Sequence, residues 1–194
     1  MSQSTSKVPH DPKSRAERHK AATERGAWIK KVQEDALATL PTHKLYIGLW
    51  LRNNIPNSND FHWGFYYHRD DKGGTKYHIK NMGSGWITDH AHTGGALKSQ
   101  FLCVYVQIGS IPADKEGQLD QLVRSYDGSI NTIPGITCRV WIFLVVQRLV
   151  EAGLLRCHDL ASLERECLAF GNECSSSALK NDQPRPIKVS SCSS

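Results

Sequence analysis

Hydrophobic and polar positions alternate most clearly over residues 61–68. There Phe61, Trp63, Phe65 and Tyr67 fall on one face of a strand, and His62, Gly64, Tyr66 and His68 on the other. The aromatic face reads as the core side. Residues 45–51 form a short apolar, aromatic-rich strand that ends at the turn-forming run 53–60. Residues 75–82 form a third strand, with Tyr77 and Ile79 inward and Lys76, His78 and Lys80 outward. The run Asp70-Asp71-Lys72-Gly73-Gly74 between the second and third strands has hairpin chemistry, supplying glycine where positive φ is needed. Residues 101–111 read as a fourth, buried strand.

Helical periodicity brackets these strands. Residues 14–40 carry an imperfect apolar stripe of Ala22, Ile29, Val32, Ala36 and Leu40 that Pro41 ends. Residues 114–126 are amphipathic, with Leu119, Leu122 and Val123 on one side. Residues 138–152 are apolar on nearly all sides, with Thr137 as N-cap and Gly153 as C-cap, the pattern of a helix buried in the centre of a fold. A last helix over residues 159–170 starts at the cap Asp159. The order of helix, strands and helices predicts an α+β domain, a mostly antiparallel sheet packed on a central buried helix. Its expected extent is residues 14–174, between disordered tails at 1–13 and 175–194 that are rich in Ser and Pro.

Composition agrees with one soluble domain: 194 residues, 39% hydrophobic and 22% charged. The longest apolar stretch is interrupted by Gln147 and Arg148 and falls short of the roughly 20 residues that cross a bilayer, so no membrane span is expected. The net charge of +5 resides in the ends, because residues 44–174 hold thirteen Lys or Arg against thirteen Asp or Glu. A neutral body argues against a nucleic-acid-binding face. RNA contact through the basic first helix is the weaker alternative.

Six cysteines show neither a C-x-x-C pair nor zinc-ligand spacing, and residues 1–20 contain no apolar signal-peptide core. Free thiols in a reducing, cytoplasmic compartment are the expectation. Asp89-His90-Ala91-His92 places two histidines two apart without an evident third metal ligand, and the glycine-rich runs at 83–86 and 93–96 lack phosphate-loop spacing. These read as loops, and neither a metal nor an organic cofactor is expected.

One cysteine stands apart. With Thr137 as cap, Cys138 lies in the first turn of its helix, where free N–H groups and the positive end of the dipole favour a thiolate. The competing reading is a small buried hydrophobe beside Val140, Trp141 and Ile142. A thiol nucleophile needs a base, and the base needs an orienting partner. His62 and His78 share a sheet face and can supply both roles. A hairpin turn centred near residue 70, or a bulge with that effect, sets His62 against His78, and one centred near 73 sets His68 there instead.

The blocks His62-Trp63-Gly64-Phe65-Tyr66, Gly74-Thr75-Lys76-Tyr77-His78-Ile79 and Thr137-Cys138-Arg139-Val140-Trp141 resemble the circularly permuted papain-like superfamily of thiol enzymes, which includes NlpC-type and lecithin:retinol acyltransferase-like members. The resemblance implies Cys138 as nucleophile, His62 as general base and His78 as its orienting partner. The expected activity is cysteine-dependent hydrolysis or acyl transfer on an amide, ester or thioester of a small-molecule or peptide substrate. A non-catalytic binding or accessory protein on the same fold is the alternative, and the distance from Cys138 to the histidines separates the two.

Overall fold

The computed structural model describes residues 15–192. Helix α1 (Arg15–Ala38) precedes strands β1 (Lys44–Leu51), β2 (Phe61–Asp70), β3 (Gly73–Asn81), β4 (Trp86–Thr88), β5 (Ala91–Thr93) and β6 (Leu102–Ser110). Helices α2 (Glu116–Val123), α3 (Cys138–Glu151) and α4 (Leu160–Leu179) follow, and β7 (Ile187–Val189) closes the order. The strands make one sheet in the order β4-β3-β2-β1-β6-β7, with β5 also on β3. Every pairing is antiparallel except β6 with β7. The α+β class and the mostly antiparallel sheet are therefore as the periodicity predicts. Among the described residues no helix is long and apolar enough to cross a membrane.

Each face of the sheet has its own core. On the helical face, Leu45, Ile47 and Leu49 of β1 and Phe61, Trp63, Phe65 and Tyr67 of β2 join the buried side chains of α3 and α4. Trp63 meets Phe143 edge-on at 5.8 Å between ring centroids, and Phe65 meets Trp141 at 5.6 Å. On the outer face, Tyr46, Trp50, Tyr66 and Tyr105 pack with Leu37 and Leu40 from the end of α1 and its exit, and with Leu97 from the short 3-10 turn at Ala96–Lys98. Covered on both sides, β1 is buried from Leu45 to Leu51. The α3 helix is less enclosed than its composition predicts. Trp141, Ile142, Val145, Val146 and Leu149 are buried, whereas Val140, Phe143 and Leu144 remain half-buried on its flank.

The expected disordered tail at 175–194 is largely structured over its described part, residues 175–192. Helix α4 runs on to Leu179 because Leu163, Cys167, Gly171, Cys174 and Ala178 continue a buried stripe at helical spacing through a Ser-rich run. Beyond it β7 adds to the edge of β6, with Tyr105 opposite Ile187 and Gln107 opposite Val189. Arg185 is buried at the entry to this strand and donates to the Gln100 carbonyl at 2.7 Å and to Asn181 Oδ1 at 2.6 Å. Glu166 of α4 accepts from the Ser190 hydroxyl and from the Ser191 amide. The expected tail at 1–13 lies outside the described residues.

Arg185→Ala removes a buried guanidinium and leaves the Gln100 carbonyl and Asn181 Oδ1 without their donor, and is expected to cost about 2 kcal/mol. A urea midpoint equal to that of the wild type would show that the segment adds nothing to the fold.

Candidate functional site

The hairpin register matches neither sequence alternative. Gly64 lies opposite His78, and His68 opposite Gly74, so the turn centres on Asp71 with an irregularity between His68 and Asp70. His62 therefore reaches His78 on the diagonal, across Gly64. Two facing glycines make this possible, since Gly48 of β1 pairs with Gly64 of β2. A Cβ on Gly48 would stand 2.3 Å from Trp50 Cη2, and one on Gly64 would stand 3.0 Å from His78 Cβ. The missing side chains leave a trough on the outer face, filled by the Trp50 indole and bridged by the two imidazoles.

His62 Nε2 lies 2.9 Å from His78 Nδ1, and His78 Nε2 lies 3.1 Å from Asp89 Oδ2. The Asp89 amide donates to the His78 carbonyl at 2.9 Å, which sets the carboxylate beside the ring, and Lys80 Nζ holds the same oxygen at 2.8 Å. These contacts fix the tautomers. A carboxylate only accepts, so the proton of neutral His78 is on Nε2 and its Nδ1 must accept. His62 then donates from Nε2, and its Nδ1 keeps a lone pair that meets no partner among the described residues. Beside it, Lys76 Nζ stands 5.1 Å from the Trp50 ring centroid, and the Trp50 and His62 rings lie 5.9 Å apart. Lys76 forms no ion pair among the described residues.

Burial dominates the electrostatics here. It lowers the His62 pKa to about 4, helped by the positive charges of Lys76 and Arg52. It lowers His78 to about 3, with Lys76 and His62 adding to the effect and Asp89 opposing it. Burial also pushes the Lys76 ammonium down. Both imidazoles are thus neutral at pH 7. A general base works best with a pKa near the working pH, so His62 suits accepting a hydrogen bond better than abstracting a proton.

Cys138 is elsewhere. Thr137 caps α3 as expected, its Oγ1 accepting from the Val140 amide at 3.1 Å. Cys138 belongs to the helical-face core together with Phe61 and Trp63, whose side chains point away from the face of His62. It is 3% exposed, and its thiol has no hydrogen-bond partner among the described residues. Of the expected constellation of Cys138, His62 and His78, the sheet brings the two histidines together on its outer face, whereas the thiol packs with Phe61 and Trp63 on the opposite face. A cleft of about 160 Å³ does open onto Cys138, lined also by Arg52, Phe61, Trp63, Thr137 and Arg139.

The remaining histidines serve other contacts. His68 is buried against the Tyr66 hydroxyl at 2.8 Å, so it does not partner His78. His90 is enclosed between Tyr77 and Trp141 and lies 3.3 Å from Asp127, whereas His92 is exposed on β5, so the pair shares no site. No cluster of three or more His, Cys, Asp or Glu able to hold a metal occurs among the described residues. Lys76, which alternation already places outward with His78, completes the array together with Asp89 and Trp50, and these last two escape sequence reading. Asp89 owes its place to β4, which has only three residues and no alternation to reveal it.

An α+β protein with α3 and α4 on one sheet face, and the end of α1 and a glycine-lined histidine array on the other, is thus defined. The chain belongs to DUF6914, a family of unknown function whose pattern matches residues 42–176. That span holds β1 to β6 and most of α4, and so includes the histidine array and Cys138. No curated protein and no solved structure matches the chain.

Two expectations follow. Gly64→Ala sets a methyl against His78 Cβ and the Tyr77 carbonyl and separates the rings. Imidazole nitrogen NMR of that variant is expected to lose the neutral tautomer pattern, and an unchanged pattern would refute the diagonal bridge. The second concerns pH. An unfolded histidine titrates near 6.5, so below that the unfolded chain takes up protons that folded His62 resists until about 4. Stability is then full above pH 6.5 and falls as the pH drops toward 4, by on the order of 3 kcal/mol for His62. His62→Gln is expected to flatten the fall in urea midpoint across that range, and a slope equal to the wild type would contradict the assignment.

Proposed function

We propose that this chain is a non-catalytic binding protein that recognises its ligand on the outer sheet face at Trp50, His62 and Lys76. The observation that carries this reading is the strand alternation of β2. His62 faces away from Phe61 and Trp63, and Cys138 packs with those two, so no imidazole of the array meets the thiol. The array itself has the makings of recognition. His62 Nδ1 offers an acceptor, Trp50 a flat apolar wall and Lys76 a half-buried positive charge that forms no ion pair among the described residues. A small molecule or peptide that carries a hydrogen-bond donor beside an anionic group complements all three.

A thiol enzyme of the permuted papain-like type is the second reading. It draws support from one observation, the cleft that opens onto Cys138 at the capped start of α3. One experiment separates the two. The native protein is incubated with p-nitrophenyl acetate at neutral pH, and its intact mass is followed beside Cys138→Ala and His62→Gln. The binding reading expects no acetyl adduct on Cys138 and iodoacetamide labelling of that thiol well below the unfolded rate. An adduct on Cys138 that is lost in His62→Gln would overturn it in favour of the enzyme.

A further inference from the structure

The cavity of about 500 Å³ at the end of β6 falls in the range of roughly 300–1,000 Å³ typical of small-molecule sites. It lies far from the histidine array. Its Ser110 pairs with Lys44 at one end of β1, whereas His62 pairs with Trp50 near the other, about 20 Å along the strand. Leu155 forms its floor, lying so close over Gly109 that a Cβ there would meet Leu155 Cδ2 at 2.3 Å. Ile108, Pro112 and Leu154 extend the apolar wall. Parallel pairing with β7 stops at Gln107, where the Ser190 amide makes the last contact, so the β6 edge beyond it is uncovered by β7 beside the cavity.

Charge gives the cavity its character. Lys115 and Arg156 line it, no carboxylate does, and neither cation forms an ion pair among the described residues. A third cation, Lys44, is held at the rim by the Ser110 hydroxyl and also lacks a carboxylate partner among those residues. The carbonyls at the end of α3 do not offset this charge freely, since those of Arg148, Leu149 and Val150 accept from the amides of residues 152–155. Apolar walls with cations at the mouth suit a ligand with an apolar body and an anionic head.

We infer that this cavity binds an amphipathic organic anion, a carboxylate or phosphate monoester whose apolar chain lies on Leu154 and Leu155 while its head meets Lys115 and Arg156. The site is independent of the outer-face array, and either can fail without the other.

The test titrates the full chain with octyl phosphate and octanoate below their aggregation concentrations, followed by amide NMR. Controls are inorganic phosphate, 1-octanol and octyltrimethylammonium. Both anions are expected to shift the amides of Gly109, Ser110, Leu154 and Arg156, and the double variant Lys115→Gln/Arg156→Gln to bind them about tenfold or more weakly. Because both side chains are exposed, the variant should keep the wild-type melting midpoint. Should it not fold, salt dependence in the wild type decides instead: added NaCl should weaken octyl phosphate and leave 1-octanol unchanged. The inference is overturned if those amides do not respond, if 1-octanol or octyltrimethylammonium binds as tightly, or if the double variant or added salt makes no difference. Binding of inorganic phosphate as tight as that of octyl phosphate would also overturn it, by removing the role of the apolar wall.

Discussion

Period-two alternation in β1 and β2 is the constraint on which the other features rest. Leu45, Ile47, Leu49, Phe61, Trp63 and Phe65 project one way and create the surface that α3 and α4 cover. Tyr46, Gly48, Trp50, His62, Gly64 and Tyr66 project the other way, where α1 covers only part of the sheet. A one-residue slip of β2 would exchange its two sets and place neutral imidazoles beneath helices. Register, burial and site chemistry are therefore one property of the central pair.

The same constraint explains how far the sequence could be read. Strands β2 and β3 are recognisable from period-two alternation, β1 and β6 from continuous apolar runs covered on both faces, and α1, α2 and α3 lie near their expected bounds, although the expected α1 stripe is exposed at Ala22 and only half-buried at Ile29, Val32 and Ala36. The short strands β4, β5 and β7 have three residues each, too few to establish a period, and they take their places from the backbone edges they cover. The extended α4 is hidden for a different reason: its buried stripe runs through the small side chains Gly171, Cys174 and Ala178 on either side of the serine run 175–177.

The candidate site shows both sides of this. Alternation alone puts His62 and His78 on a common face, and they do meet, although through a diagonal that depends on Gly64 having no side chain. Alternation also carries the signal that separates Cys138 from them. A helix packed on Phe61 and Trp63 necessarily lies opposite His62, so the resemblance of short blocks and the geometry of the strand point in different directions. Desolvation then decides the character of the pair, because burial outweighs the nearby Asp89 carboxylate and leaves both rings neutral.

The parallel strand β7 has a consequence for how the protein is made. Strand β6 is complete at Ser110, but the segment that covers its outer edge begins only at Ile187, after α2, α3 and α4. During vectorial synthesis a row of unpaired backbone groups along Tyr105–Gln107 must wait for most of the helical layer to emerge. An open, buried-type strand edge is a template for pairing with other chains. The nascent protein is thus most vulnerable to self-association late in translation, and the short polar strap after α4 acts as the closure that ends this exposure.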